Sequence, residues 1–216
     1  MKILVTAFEA FGGDDINPTR EVLNLLPDEI SCLSEEDDCN FNLNRHGQNN
    51  NVKIIKRVLP VSYDRSANQL VGLLTELEPD FVLCLGFAAS RDAVTPEAAA
   101  LNVKSSSRPD NDGVIENGTP VILRGENAYF TSLDVKALCE RISSIGIPCR
   151  VSYHAGTYVC NSTYYTLLAH HPRACFIHLP NDELSVKCRA ENTPYLLRRD
   201  MLNAVMEAIR FIAENN

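Results

Sequence analysis

The sequence predicts an α/β fold of three layers (α/β/α), in which helices cover both faces of a mixed, mostly parallel central sheet. Apolar, β-branched runs bounded by Gly, Pro or polar residues alternate with segments of helical periodicity along the chain. These runs lack a clean polar alternation, which indicates strands that are buried on both faces. In such sheets, ligand sites cluster in the loops beyond the carboxyl ends of the strands.

The candidate elements follow one another from the N-terminus. Six apolar runs are predicted as strands, at residues 3–6, 52–61, 81–85, 121–123, 149–152 and 175–179. Five segments are predicted as helices, at residues 19–26, 66–77, 134–145, 161–169 and 195–213. Residues 31–51 are polar and acidic without sustained periodicity, so we predict a polar loop insertion there that marks no domain boundary.

Length and composition are those of a globular protein. The chain of 216 residues is 45% hydrophobic and 22% charged, which suits one domain with a sizeable core over residues 1–216. A net charge of −8 repels phosphate backbones, so we expect no nucleic-acid partner. The apolar runs are too short or too interrupted to span a bilayer, so we expect no membrane partner.

The cysteines indicate a reducing compartment. There are eight of them, without CxxC pairs or a compact disulfide-type spacing, and the N-terminal run lacks the long apolar core of an export signal. We therefore expect a cytoplasmic protein whose thiols are reduced and packed mostly as small hydrophobic residues. A zinc site would need Cys and His ligands clustered at short spacing, and the sequence has no such cluster.

Cys160 lies where the run AGTYV meets a segment of helical periodicity. At a helix N-terminus, free backbone N–H groups and the helix dipole favour thiolate over thiol, and the same groups can bind an oxyanion. Position alone therefore predicts an activated nucleophile. A buried junction cysteine without a chemical role is the competing interpretation, because free cysteines are usually buried.

His178 ends the apolar run ACFIH, which Pro180 closes shortly afterwards. This predicted strand follows the Cys160 helix and can return the imidazole to the start of that helix. Cys and His form the minimal pair for thiolate catalysis, with the imidazole as base toward the thiol and acid toward the leaving amine. The alternative is a histidine satisfied within the core.

Glu97 is the candidate for a third group that orients the imidazole. Thr95 and Pro96 precede it and suit the cap and first turn of a helix, so we predict Glu97 in a first helical turn. A carboxylate in that place can simply complement the helix dipole, and this alternative stays open for Glu97 taken singly.

Three groups of motifs in order along the chain carry a resemblance to a known family. They are TAFEAFGGDDINPT at residues 6–19, GFAASR with TPEAAALN at 86–102, and SYHAGTYVCN with FIHLP at 152–180. Together they resemble the motifs of the pyrrolidone-carboxylate peptidases, also called pyroglutamyl peptidase I, a family of cysteine peptidases. The similarity covers nearly the whole length of the chain.

The resemblance implies an omega-type cysteine exopeptidase that removes an N-terminal pyroglutamyl (5-oxoprolyl) residue from peptides. The reaction would pass through a thioester that water then hydrolyses. By this resemblance Cys160 is the nucleophile, His178 the general base and acid, and Glu97 the third catalytic residue. It also implies that no metal or organic cofactor is needed, and that the chain forms a homo-oligomer, often a tetramer.

The resemblance also implies a small substrate pocket. Phe8 and Phe11 match the rings that sandwich the lactam, and Val159 and Phe87 complete the predicted substrate-binding set. A flat, uncharged ring gains from stacking and apolar enclosure. Anchoring of a loop in the core is the alternative for Phe8 and Phe11.

Several positions depart from the family's motifs. Phe87 stands in place of a glutamine and residues 89–90 in place of two glycines, while Ala98 and Ser107 replace arginines, although Arg108 lies beside Ser107. These changes motivate a second hypothesis, a member of the same fold that binds a lactam or amide without turnover or with altered specificity. A nucleoside-binding enzyme is a third, but FGGDD lacks the glycine pattern that cradles phosphate.

Overall fold

The computed structural model describes residues 1–32 and 50–215. Its strands are β1 (Lys2–Phe8), β2 (Glu29–Cys32), β3 (Asn50–Leu59), β4 (Phe81–Phe87), β5 (Thr95–Glu97), β6 (Ala99–Leu101), β7 (Lys104–Ser105), β8 (Asn117–Thr119), β9 (Ala128–Phe130) and β10 (Ala174–Leu179). Its helices are α1 (Pro18–Leu25), α2 (Tyr63–Leu77), α3 (Val135–Ser144), α4 (Val159–His170) and α5 (Arg198–Glu214), with a 3₁₀ turn at Ser185–Cys188.

Six of these strands form one sheet in the order β2-β3-β1-β4-β10-β5. The four central strands run parallel, whereas β2 and β5 pair antiparallel at the two edges. The remaining strands form the ribbons β6-β9 and β7-β8. The prediction of a mixed, mostly parallel sheet is therefore confirmed.

Alternate residues of the central strands belong to different cores. Ile3 and Val5 of β1 pack in the core that contains residues of α1, α3 and α5, while Leu4 and Phe8 pack in the core that contains residues of α2 and α4. Successive side chains of a strand point to opposite faces of the sheet, so each central strand packs against both helical layers. The three-layer prediction is confirmed by this arrangement.

The five helices lie where the periodicity predicts them, with ends that differ by at most three residues. Side chains at their starts explain several of the boundaries. Asn17 and Ser62 accept hydrogen bonds from the first turns of α1 and α2, and Asp134 does so for α3. None of the helices within residues 1–32 and 50–215 is long and apolar enough to cross a membrane.

The strand predicted at residues 121–123 is wrong. This segment forms turns, and the Asn102 side chain binds it: Oδ1 accepts from the Ile122 N–H at 2.9 Å, and Nδ2 donates to the Ile122 carbonyl at 3.0 Å. The side-chain amide of Asn102 thus makes the hydrogen bonds to the Ile122 N–H and C=O that a neighbouring strand would otherwise make.

The strand predicted at residues 149–152 is also wrong as a continuous element. It makes two isolated parallel bridges, Val94 to Cys149 and Glu97 to Ser152. The short β5 offers too little length for a ladder on this side. The predicted insertion at 31–51 begins within β2 and ends within β3, and residues 33–49 lie outside the described residues.

Candidate active site

Cys160 is the second residue of α4, which begins two residues before the start predicted at residue 161, so the thiol lies within the first helical turn. The N-cap residue Tyr158 makes no side-chain hydrogen bond to the first turn. Asn161 anchors the helix start instead, because its Oδ1 accepts from the Leu101 N–H at 2.8 Å and its Nδ2 donates to the carbonyls of Leu101 and Val103 at 2.8 and 2.9 Å. The position of the thiol is therefore tied to the chain that follows β5.

The surroundings of the Cys160 thiol act against the activation that its position at the helix start predicts. Burial raises the pKa of Cys160 to about 12, and the negative charge of Glu97 adds to the rise. Arg91 and the backbone N–H of Cys160 itself act in the opposite direction but are outweighed. Cys160 is consequently a thiol at neutral pH, and it needs a base to remove its proton.

His178 lies in β10 on the face of the sheet that α4 covers. Cys175 and Ile177 belong to the core of the opposite face, whereas Phe176 packs with α2 and α4, and its ring centroid lies 4.8 Å from that of His178. Gly86, opposite His178 in β4, provides the room for both rings. A Cβ added at Gly86 would lie 2.4 Å from the Phe176 ring and 2.9 Å from the His178 Cδ2.

Glu97 ends the edge strand β5, so the prediction of a first helical turn is wrong. In the antiparallel pairing with β10, Glu97 lies opposite Phe176 and Thr95 lies opposite His178. Pro96 is tolerated because a proline can occupy an edge strand. A Thr-Pro pair is common both before a helix and in an edge strand, so the local sequence does not distinguish the two structures. Pairing with the distant strand β10 makes this segment a strand.

The Glu97 carboxylate orients the imidazole. Its Oε1 lies 2.7 Å from the His178 Nδ1, and both side chains are buried, with Glu97 fully inaccessible. When Nδ1–H donates to the carboxylate, the neutral imidazole presents Nε2 as an acceptor. Burial lowers the pKa of His178, and the contacts with Glu97 offset that effect only in part. The resting site therefore favours a neutral base beside a thiol.

No hydrogen bond joins the Cys160 Sγ to His178 among the contacts made by residues 1–32 and 50–215. The two side chains share their charged neighbours, because the charges of Glu97 and Arg91 affect the pKa values of both Cys160 and His178. Catalytic hydrogen bonds are often long in substrate-free sites and shorten in the complex. Tyr164 of α4 also donates to the Glu97 carbonyl at 3.1 Å, which ties the nucleophile's helix to the strand of the carboxylate.

A small cavity of about 40 Å³ opens beside Cys160. It is lined by Phe8, Phe11, Asn17, Val61, Phe87, Tyr158, Val159 and Cys160. All four residues predicted to bind substrate are in this set. Asn17, Val61 and Tyr158 were not predicted, although Tyr158 is part of the AGTYVCN motif that could have indicated it.

Arg91 is a member of the site that the sequence prediction left without a role. Its Nη1 lies 2.8 Å from the Glu97 Oε1, the same oxygen that contacts His178. The sequence could have indicated a role for Arg91, because it is the only charged residue of the motif GFAASR. Within the described ranges, the side chains of His, Cys, Asp and Glu form no group of three or more that could hold a metal ion.

Comparison with known proteins assigns the family. Residues 40–215 match the family model described as pyroglutamyl peptidase. The chain belongs to the pyroglutamyl peptidase family. The resemblance carried by the three groups of motifs is thereby confirmed, and with it a cysteine peptidase enzyme.

Individual relatives agree with this assignment along almost the entire chain. The pyrrolidone-carboxylate peptidase of Lactobacillus johnsonii is 36% identical in an alignment covering 100% of this chain and 94% of the relative. That of Thermosipho melanesiensis is 33% identical, with 97% of each chain covered. The pyrrolidone carboxyl peptidase structure from Thermococcus litoralis superimposes with a TM-score of 0.86 at 29% identity, covering 99% of this chain and 93% of that one.

Proposed function

We propose that this family member cleaves the amide bond after an N-terminal pyroglutamyl residue of peptides, with Cys160 as nucleophile, His178 as general base and acid, and Glu97 orienting the imidazole. The carrying observation is the small cavity at Cys160, which lies on the same face of the sheet as the His178–Glu97 pair. A nucleophile, an oriented base and a small, mostly apolar pocket beside the nucleophile support acyl transfer from a small lactam.

The reaction begins with a thiol and a neutral imidazole. His178 Nε2 takes the proton from the Cys160 Sγ as the sulfur attacks the pyroglutamyl carbonyl carbon, and Glu97 stabilises the resulting imidazolium. The oxyanion accepts hydrogen bonds from N–H groups of the first turn of α4, including that of Cys160. Breakdown of this intermediate breaks the C–N bond, and His178 donates its proton to the leaving amine.

A thioester between Cys160 and the pyroglutamyl group remains. His178 then removes a proton from water as the water oxygen attacks the thioester carbon. The C–S bond breaks, the sulfur recovers its proton from the imidazolium, and free pyroglutamate leaves. Each proton that His178 accepts is returned within the same half-reaction, so no metal or organic cofactor is consumed.

The pocket favours an uncharged ring over a free amino terminus. Its lining is dominated by aromatic and aliphatic side chains, and the one amide among them, Asn17, already donates to the Glu9 carbonyl at 3.0 Å and accepts from the Thr19 N–H at 3.0 Å. An ammonium group placed there would lose its hydration without gaining a carboxylate partner. A lactam, which carries no charge, avoids this cost.

The substrate assignment is tested by release of aminomethylcoumarin from its pyroglutamyl amide. Glutaminyl and prolyl amides of the same fluorophore serve as matched controls, since they keep the leaving group and change only the ring or its charge. We expect kcat/KM for the pyroglutamyl amide to exceed the values for both control amides by roughly 10²-fold or more, because the pocket would have to remove water from the ammonium group of each control. Saturable binding of pyroglutamate without release would instead favour the non-catalytic lactam binder.

Phe11→Ala is expected to raise KM for the pyroglutamyl amide about tenfold with a smaller change in kcat. The Phe11 ring lies 6.3 Å from that of Phe87 and 6.2 Å from that of Tyr158, so its loss opens one wall of the pocket. Lost stacking and apolar contact weaken ground-state and transition-state binding alike. Initial rates over a range of substrate concentrations measure both constants.

The control for this variant is Phe130→Ala, which removes a ring that is 72% exposed and does not line the cavity. It should leave KM unchanged. If Phe11→Ala and Phe130→Ala behave alike, Phe11 anchors its loop and does not contact the substrate.

The location and assembly expected from the sequence also remain proposals. The absence of a compact disulfide spacing supports a cytoplasmic enzyme, and the family resemblance supports a homo-oligomer such as a tetramer. Light scattering on the purified protein measures the mass, to be compared with 24.0 kDa for one chain. A monomer at working concentration would contradict the oligomer.

A further inference from the structure

We propose that Arg91 is a positioning residue: its charge offsets that of the buried Glu97 carboxylate and competes for the oxygen that contacts His178, so that the imidazole stays a neutral base. This inference rests on the proposed function, because the role matters only if His178 serves as the base. Arg91 itself touches neither the nucleophile nor the cavity beside it.

The geometry places Arg91 between the buried carboxylate and solvent. Its Nη1 is 2.8 Å from the Glu97 Oε1, and its Nη2 donates to the Ser152 Oγ at 3.3 Å. Nη1 also donates to the Thr95 Oγ1. The Arg91 side chain is 23% exposed while Glu97 is fully buried, so the carboxylate reaches solvent-accessible surface only through its partner.

Glu97 needs a positive partner. Burying a carboxylate without a positive partner is strongly disfavoured, so the site needs a positive charge close to it. Among the described residues, its second oxygen, Oε2, has no hydrogen-bond partner, so both of its strong contacts fall on Oε1. Without Arg91, the readiest way to neutralise Glu97 is an imidazolium on His178, which cannot act as a base.

The charges around His178 give the direction of the effect. The charges that act on His178 are those of Glu97 on β5 and Arg91 in the loop before β5. Three further titratable groups lie near the same carboxylate or near one another: Cys160 and Tyr164 on α4, which are both affected by Glu97, and Cys84 on β4, which affects both of them. Burial raises the pKa values of both thiols and of the tyrosine, so these three groups stay neutral near pH 7. Of the two charges left, Glu97 raises the pKa of His178 and Arg91 lowers it.

The first test compares the pH dependence of kcat/KM in wild type, Arg91→Gln and Arg91→Lys with the pyroglutamyl amide as substrate. Loss of the charge should move the acid limb to higher pH, so the ratio of kcat/KM at pH 6 to that at pH 8 falls roughly tenfold. Arg91→Lys keeps the charge and should keep the limb at the wild-type pH, even if the lost contact with Ser152 lowers kcat. A merely structural arginine would lower activity by the same factor at every pH, and that result would overturn the proposal.

Arg150→Gln is the matched control. Arg150 forms an ion pair with Asp92, the residue that follows Arg91 in the sequence. The Arg150 side chain is 60% exposed, and it does not contact Glu97. Removing a solvent-exposed charge of this kind should leave the pH profile in place. If Arg150→Gln moves the acid limb as far as Arg91→Gln, the effect is a general one of net charge and the proposal fails.

A second test needs no turnover. The ring signal of His178 is followed by NMR as a function of pH in Cys160→Ala, with and without Arg91→Gln, and assigned through loss of the signal in His178→Gln. We expect His178 to gain its proton at a higher pH once Arg91 is replaced. An unchanged titration overturns the role of Arg91, whereas a shifted titration combined with a wild-type enzyme that cleaves no pyroglutamyl amide overturns the proposed function alone.

Folding of the variants is checked by circular dichroism. If Arg91→Gln does not fold, Arg91→Lys in the Cys160→Ala chain decides the matter. The lysine should leave the His178 titration at the pH observed with Arg91. A titration moved to higher pH despite the retained charge would show that charge is not what Arg91 supplies, and would overturn the proposal.

Discussion

Cys160→Ala is expected to reduce cleavage of the pyroglutamyl amide by roughly 10⁵-fold, to the background rate. The methyl group that replaces the thiol cannot form the thioester, and the thiols of Cys84 and Cys175 in the neighbouring strands are fully buried within the sheet. The measurement is fluorophore release under single-turnover and steady-state conditions. Activity comparable to that of wild type would exclude the thioester mechanism.

Two other cysteines provide matched controls. Cys188→Ala changes an exposed thiol, and Cys175→Ala changes a buried one on the face of the sheet opposite to α4. Both variants should retain full activity, with some loss of stability for Cys175→Ala because it leaves a small cavity. Trapping by an electrophilic pyroglutamyl analogue should label wild type at Cys160 and leave Cys160→Ala unlabelled.

His178→Ala is expected to lower kcat/KM by at least about 10³-fold near neutral pH. Because burial raises the pKa of the Cys160 thiol, very little of it is thiolate at pH 8 without a base. Activity of the variant should therefore rise steadily between pH 7 and pH 10, as hydroxide takes over the removal of the proton. A pH–rate profile of the variant measures this, and a flat profile would contradict the role of the imidazole.

The control is His170→Ala in the last turn of the same helix. The His170 Nδ1 lies 2.8 Å from the Thr166 carbonyl oxygen and makes no contact with the cavity at Cys160. This variant should keep the wild-type profile. A large loss of activity in His170→Ala would indicate that changes anywhere along α4 disturb the site, and the result for His178→Ala would then need a more conservative replacement such as glutamine.

Part of the site was predictable because its evidence is local. Strands and helices follow from apolar periods of neighbouring residues, and the motifs around Cys160 and His178 are continuous in sequence. The cavity-lining residues Phe8, Phe11, Phe87 and Val159 were predicted from all three groups of family motifs. Tyr158 and Val61 could not be selected in the same way, since many apolar side chains near a motif pack in a core.

The α/β architecture and the order of its elements could be predicted from the apolar periods along the chain, and the family from its resemblance to three groups of continuous motifs. Three features became apparent only in the folded protein: Glu97 ends a strand, Cys160 rests as a thiol, and Arg91 shares an oxygen with His178. Glu97 and His178 stand 81 positions apart. Strand pairing, desolvation and ion contacts of this kind arise between distant segments, and no local pattern of residues encodes them.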